Sequence, residues 1–453
     1  MAARQTNGTP PIVVVGAGVA GLTAAHRLSG AGLEVIVLEA SDRIGGRAFR
    51  VREGFEAGQA GDLGGELVLG KYAAIPALCA ELDVEVSEEV WHTSPDLQPG
   101  QVRLEGFLEE GRLVVDGAML KGNRLKSVAS EIRTALREAA PAPHEMTAQW
   151  IERAGLSADA RAVVSAASRF LQYETDQLDV SALLLAQAWQ SRAQPPLPVR
   201  RIVGGSQVLA EALAEDLDLR MQSPVRAVRQ SRDGAEVELE DGGRIAAERV
   251  IVAVQAFVLR ALGFDPPLPS NLIEELSSLQ RSRGGKVACQ YAEGDAVRKA
   301  LTRLVSTDGP INNAFVSNPY VKEGPAVVSG FVTGDERHIL ESEGEAASAL
   351  DALVEIAVGS PVTRLATIQH DWTTDPYVRA VTAFSDYSRR GGSLAAQFAM
   401  PHHRVHFAGD HTDVYFQGSL EGAALSGLRT AAEVLRTPRR MSLEEIETKL
   451  VAA

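Results

Sequence analysis

The chain has 453 residues, a hydrophobic fraction of 45% and a formal charge of −14 from 45 basic and 59 acidic side chains. That length exceeds what one hydrophobic core usually organises, so two lobes are expected, and the acidic balance argues against nucleic acid or an anionic membrane as a general partner. Two cysteines, Cys79 and Cys289, cannot build a disulfide framework and have no metal-ligand spacing around them, so a metal site is not expected.

The first ten residues, MAARQTNGTP, lack the apolar run of a secretory signal, and no run of about 18 apolar residues follows anywhere. A reduced, cytoplasmic setting without membrane attachment is the expectation. Ile12 to Val15 is an unbroken β-branched run ending at a glycine, the pattern of a parallel strand buried on both faces. Gly16, Gly18 and Gly21 then fill G-x-G-x-x-G. The first permits a sharp turn, the second lets backbone amides approach a pyrophosphate, and the third lets the following helix, from Leu22, pack on the strand. A second strand, Glu34 to Leu38, ends at Glu39, the spacing at which an acid accepts hydrogen bonds from an adenosine ribose. Arg43-Ile44-Gly45-Gly46-Arg47 supplies a second glycine turn, where backbone and guanidinium can meet phosphate or ribityl oxygens.

With these motifs the chain resembles the FAD-containing amine oxidase family, and the resemblance extends from Ile12 to about Leu435. It implies an α/β architecture: a doubly wound, Rossmann-type FAD lobe from residues 10–80, 199–265 and 375–437, and an α+β substrate lobe from 81–198 and 266–374. Residues 438–453 read as a short charged tail helix. In the first motif the resemblance adds Val19, Ala20 and Ala40 to the glycines as cofactor neighbours. Gly61-Asp62-Leu63-Gly64-Gly65-Glu66 is similar to the family's segment beside the flavin ring, which nominates Gly64, Gly65 and Glu66.

Residues 71 to 85 show helical spacing with Cys79 on the buried face, and Leu125–Ala139, Met146–Ala154 and Ala158–Phe170 show the same spacing. The next segment resembles the family's cavity wall and nominates Leu171 and Gln172. The prolines of 194–199 read as a crossing back to the first lobe, followed by a helix over Val208–Leu217. A strand meander is expected over Val225–Val228, Glu236–Glu240 and Arg244–Val254, with Val225 at the family's backbone contact to adenine. Gln255 stands where relatives have a proline. A second exit is expected at Pro266–Pro269.

Arg283-Gly284-Gly285-Lys286 resembles the segment whose lysine lies beneath the flavin, bridged by water to N5. A cation there stabilises the negative charge that develops on oxygen. Trp372 resembles the tryptophan that packs against the ring system or cavity wall. Val405 to Asp410 reads as a parallel strand ending in Gly409-Asp410, and Gly418, Ser419, Leu420 and Ala423 open a last helix. In relatives that acid binds ribityl or phosphate oxygens and that helix start faces the flavin. The nine histidines, including His402, His403 and His406, read as loop and packing residues.

What the resemblance implies is hydride removal from a carbon beside an amine nitrogen, with O2 as electron acceptor and H2O2 as product. Val381, nine residues after Trp372, stands where flavin-tethering relatives carry cysteine, so FAD is expected to bind non-covalently. Thr382 and Ser419 replace the two aromatic rings that many relatives place around the substrate nitrogen. A bulkier or more polar amine or amino-acid-like substrate follows, with Arg192, Arg200 or Arg379 as carboxylate partners. The same fold also hosts C–C desaturases of carotenoid and porphyrinogen type, and a low-turnover binding module stays open, as does a homodimer.

Overall fold

The computed structural model describes residues 9–88, 91–93, 112–142, 145–172, 182, 186, 197–342, 344–384 and 395–436. By packing, the chain divides into two units. Unit 1 takes the described residues of Met1–Gly46, Ala210–Ser277 and Leu394–Ala453, and unit 2 those of Arg47–Leu209 and Ser278–Ser393. The tail helix expected over 438–453 lies outside the described residues.

Unit 1 is built on a five-stranded parallel sheet in the order Asp218–Arg220, Val35–Leu38, Ile12–Val15, Arg249–Val252, Val405–Phe407. Ile12–Val15 and Val35–Leu38 are buried at every position, as their unbroken apolar runs require. The helix Val19–Gly30 follows the first strand, and Leu420–Arg436 packs along it so closely that a Cβ on Gly427 would lie 2.4 Å from the Ala20 carbonyl oxygen. A four-stranded sheet carries the expected meander, with one correction. The run Arg244–Val254, expected as one strand, is two: Arg244–Ala247 pairs antiparallel with Ala235–Leu239, while Arg249–Val252 joins the parallel sheet. The break falls at Glu248, whose N–H donates to the Pro11 carbonyl and whose carbonyl accepts from Arg404. Gln255 caps the short helix Ala256–Leu259, its Oε1 accepting from the Phe257 N–H at 2.6 Å, so an ordinary N-cap replaces the proline turn.

Unit 2 centres on a seven-stranded sheet in the order Arg364–Asp371, Gly284–Tyr291, Ala326–Thr333, Asn313–Val316, Val305–Thr307, Arg112–Val115, Ala118–Met119. Strand alternation sorts its two faces. Val287, Cys289 and Tyr291 enter a core shared with the helix Glu345–Val358. Lys286, Ala288 and Gln290 turn to the opposite face. The helices Gly122–Glu138, Thr147–Ala154 and Ala158–Gln172 form a separate core around Trp150, whose indole N–H donates to the Ala139 carbonyl at 2.7 Å. Cys79 and Cys289 are buried free thiols, each pushed up to about 11 chiefly by burial, which leaves them unreactive.

Candidate active site

The first glycine turn has the backbone its sequence demands. Gly16 sits at φ +104, closed to side chains, and its N–H donates to the Leu38 carbonyl at 2.8 Å. A Cβ on Gly21 would lie 2.0 Å from the Gly16 carbonyl oxygen, so helix and strand approach only because that side chain is absent. Gly18 differs: a Cβ there would meet nothing within 4 Å. Its surface is open, at the start of Val19–Gly30, where first-turn N–H groups have no partner within the helix. The second turn is fixed to the first. Gly45 donates to the Ala17 carbonyl at 2.8 Å, and the Arg43 guanidinium donates to the Gly46 carbonyl at 2.6 Å.

Glu39 is buried beside this turn. One carboxylate oxygen accepts from the Ala17 N–H at 2.8 Å and the other from the Ser41 N–H and hydroxyl. Oε1 is thereby filled, and Oε2, with one donor, keeps a second acceptor site for a ribose hydroxyl. Gly409, at φ +135, donates to Ser426 Oγ, and Asp410 is buried next to it. Open glycine backbone, a helix start and a buried acid fit a dinucleotide diphosphate and ribose, so unit 1 suits FAD. Val225 heads the strand Val225–Gln230 and pairs with Leu239. Ser419 is engaged locally: its hydroxyl accepts from the Gly422 N–H at 3.1 Å and donates to the Phe416 carbonyl at 2.6 Å, which makes it the helix cap.

Unit 2 gathers four ionisable side chains in one buried cluster: Asp62, Glu66, Arg201 and Lys286, each under a tenth exposed. The Lys286 ammonium is ion-paired with Glu66 Oε1 and donates to the Gly64 carbonyl at 2.7 Å. It also lies 4.5 Å from the Phe331 ring centre. Glu66 Oε2 accepts from the Ser317 hydroxyl at 2.8 Å and stands 3.9 Å from the Arg201 guanidinium. That guanidinium in turn lies over Phe315. Burial first, then the neighbouring Glu66 charge, push the Asp62 carboxyl up to about 7 against the opposing pull of Lys286 and Arg201. The loop carrying Glu66 is pinned. A Cβ on Gly64 would fall 1.7 Å from the Arg47 carbonyl oxygen, Gly65 donates to that same oxygen, and the Trp372 indole donates to the Leu63 carbonyl at 2.8 Å.

Trp372 therefore acts on that loop, with its ring edge-on to His370 at 4.2 Å. Arg47 donates to the Val381 carbonyl. The Thr382 hydroxyl lies 3.0 Å from Ser282 Oγ, while Ser282 Oγ also accepts from the Thr382 N–H. Leu171 and Gln172 belong to the helix Ala158–Gln172, but their side chains lie outside the described residues, as does Arg192. Among the described residues no cluster of histidine, cysteine and acid could hold a metal, and no helix is long and apolar enough to cross a membrane. Sequence reasoning missed Arg201 and Ser317 as members of the charged cluster. For Arg201 a signal existed: two-residue alternation from buried Val199 points it inward, while Arg200 stays half-exposed.

Residues 19–435 match the family described as flavin containing amine oxidoreductase. A Mycobacterium tuberculosis protein named for flavin-containing monoamine oxidase, AofH, is 27% identical over 94% of this chain and 96% of its own length. An L-amino-acid oxidase of Siganus canaliculatus is 25% identical over 93% of this chain and 85% of its own. The structure of cyclohexylamine oxidase from Brevibacterium oxydans IH-35A superposes with a TM-score of 0.74 at 19% identity, covering 94% of this chain and 98% of that one. The glycine turn, the buried lysine and a match over most of its length together place the chain: it belongs to the flavin containing amine oxidoreductase family and is an FAD-dependent oxidoreductase of the amine oxidase kind.

Proposed function

We propose that the protein oxidises a carbon–nitrogen bond of an amine or amino-acid-like substrate, using non-covalently bound FAD and O2. The chemistry that bound FAD would supply is acceptance of a hydride from the carbon beside the substrate nitrogen, which leaves an imine that water hydrolyses, and return of two electrons with two protons to O2, which gives H2O2. The protein's work is then positioning, exclusion of water and placement of charge. Backbone amides at the start of Val19–Gly30 hold the diphosphate and Glu39 takes the ribose hydroxyls. Lys286 supplies positive charge where oxygen is reduced. The observation that carries this reading is that Lys286, only 2% exposed, is held by Glu66 and Gly64 instead of reaching solvent, in the segment the resemblance assigns to N5.

On the substrate side, Thr382 and Ser419 are small, and their hydroxyls already serve Ser282 and the helix cap. Each position, taken by itself, carries a small side chain where the resemblance puts an aromatic ring, which favours a bulky amine or amino acid over benzylamine. Arg379 Nε donates to the Pro376 carbonyl and Arg200 is half-exposed; a substrate carboxylate would draw on one of these or on Arg192. Anaerobic mixing with a panel of amines and amino acids tests the reaction class. Bleaching of the flavin by a nitrogen compound is expected; bleaching only by a polyene or porphyrinogen would replace amine oxidation with desaturation. Steady-state kinetics then tests the substrate class, with higher kcat/KM expected on amino acids or polyfunctional amines than on benzylamine and phenethylamine.

A further inference from the structure

The Lys286 ammonium has three N–H donors, and two have fixed acceptors within unit 2, Glu66 Oε1 and the Gly64 carbonyl. Both acceptors sit on the short loop that follows the strand Gly61–Asp62. That loop is bolted elsewhere as well: Gly65 to the Arg47 carbonyl, Leu63 to the Trp372 indole, and Glu66 Oε2 to the Ser317 hydroxyl. The other ionisable side chains are Asp62 on the strand before the loop, Arg201 3.9 Å from Glu66, and His370, which is the register partner of Lys286 on the neighbouring strand. Among the described residues, the carboxylate of Glu66 is thus the charged group that touches Lys286 and is itself immobilised from behind.

We propose that Glu66 is a positioning residue for Lys286, fixing the ammonium at one point of unit 2 and keeping it charged there despite its burial, and that Glu66 serves oxygen reduction only through Lys286. This rests on the reading of Lys286 given above. It assigns Glu66 a role separate from binding the cofactor. In the step concerned, two electrons and two protons pass from the reduced enzyme to O2, giving H2O2. Lys286 contributes charge stabilisation to the anionic oxygen and is recovered unchanged. A buried ammonium without its carboxylate keeps, among the described residues, only the Gly64 carbonyl as acceptor and loses its charge compensation, so the placement loosens while the lysine is still present.

The test is a double-mutant cycle with Glu66→Gln, Lys286→Met and the double variant. The Glu66→Gln side chain keeps an acceptor oxygen and nearly the same volume, so the substitution removes charge with little change of shape. In stopped-flow reoxidation of the reduced enzyme by O2, Lys286→Met is expected to lose about tenfold or more, and Glu66→Gln to lose about threefold or more when Lys286 is present and nothing further in the Lys286→Met background. Glu66→Asp, which keeps the charge, should recover part of the loss. In the apoprotein, thermal unfolding of the same four proteins should show the two single losses failing to add, because they break one pair. Equal, additive losses from Glu66→Gln in both backgrounds would overturn the proposal. So would a Glu66→Gln enzyme with wild-type reoxidation while Lys286→Met is slow. If Lys286→Met reoxidises normally, it is the underlying reading of Lys286 that falls, and the apoprotein cycle still reports whether the pair exists. If Glu66→Gln fails to fold, Glu66→Asp, one methylene shorter, tests the placement alone: it is expected to slow reoxidation when Lys286 is present and not in the Lys286→Met background, and equal losses in both would overturn the proposal.

Discussion

A single methyl group separates the roles of the glycines in the first turn. On Gly21 it would collide with backbone, and on Gly16 it would crowd the Ala253 carbonyl at an unfavourable φ, so both substitutions should destabilise unit 1, Gly21→Ala the more. On Gly18 the methyl meets nothing in the protein. Gly18→Ala is therefore expected to leave apoprotein stability within about 0.5 kcal/mol of wild type while weakening FAD binding about tenfold or more. Unfolding curves and fluorescence titration with FAD check the two halves, and unchanged FAD affinity would mean that the open face of Gly18 is not where the diphosphate lies. Asp62 gives a second prediction at this scale. Its folded carboxyl titrates near 7 rather than at the ordinary value of 3.8, so between those values the unfolded chain ionises while the folded one keeps its proton. The contribution of Asp62 to stability should fall as pH rises from about 4 to 7 and then level off, by an amount on the order of a few kcal/mol. Asp62→Asn should flatten that fall, gaining on wild type toward pH 7 and above. Urea unfolding at several pH values decides it, and parallel curves for the two proteins would refute it. A glycine turn is legible in sequence because it is local. The Asp62, Glu66, Arg201 and Lys286 cluster was only partly so, since Arg201 meets Glu66 through tertiary contact and its only advance notice was strand alternation past Val199.

Elements were easiest to read where one physical signal dominated. Thr147–Ala154 follows from the apolar spacing of Met146–Ala154 and Ile12–Val15 from its unbroken run, while Val19–Gly30 is announced by the glycine turn before it, though the sequence puts its start at Leu22, and Leu420–Arg436 by the resemblance. The run Arg244–Val254 misled because a strand can change sheets within two residues without any loss of β character, and only pairing partners reveal the switch at Glu248. Ser419 shows the reverse case. Aligned with an aromatic position of the cavity, it is also the residue before a helix, and the cap is the role its hydroxyl fills. Ser419→Ala should cost about 1 kcal/mol of stability through the lost cap. It should change KM for the substrate little, because no hydroxyl is withdrawn from the substrate side. Thermal unfolding and steady-state kinetics of one purified variant measure both, and a large KM change with unaltered stability would return the hydroxyl to the cavity.

At the scale of the molecule, non-covalent cofactor retention is testable at once. Val381 offers no nucleophile, and its backbone N–H and carbonyl are engaged by Ser282 and Arg47. Acid precipitation should leave a colourless pellet under a yellow supernatant; a yellow pellet would mean a covalent link elsewhere. Added FAD should also raise the unfolding temperature of the apoprotein, as a ligand of the folded state must. One further consequence follows from the strand order of unit 1. Its sheet joins Ile12–Val15 to Arg249–Val252 and then to Val405–Phe407, so neighbours in space are made at widely separated times on a ribosome. While unit 2's first segment is being synthesised, the opening strands wait with an unpaired, apolar edge, and Val405–Phe407 arrives only after unit 2's second segment. Nascent chains arrested before Val405 should therefore stay protease-sensitive across residues 12–38 and bind no FAD, so that cofactor capture waits on the emergence of that strand.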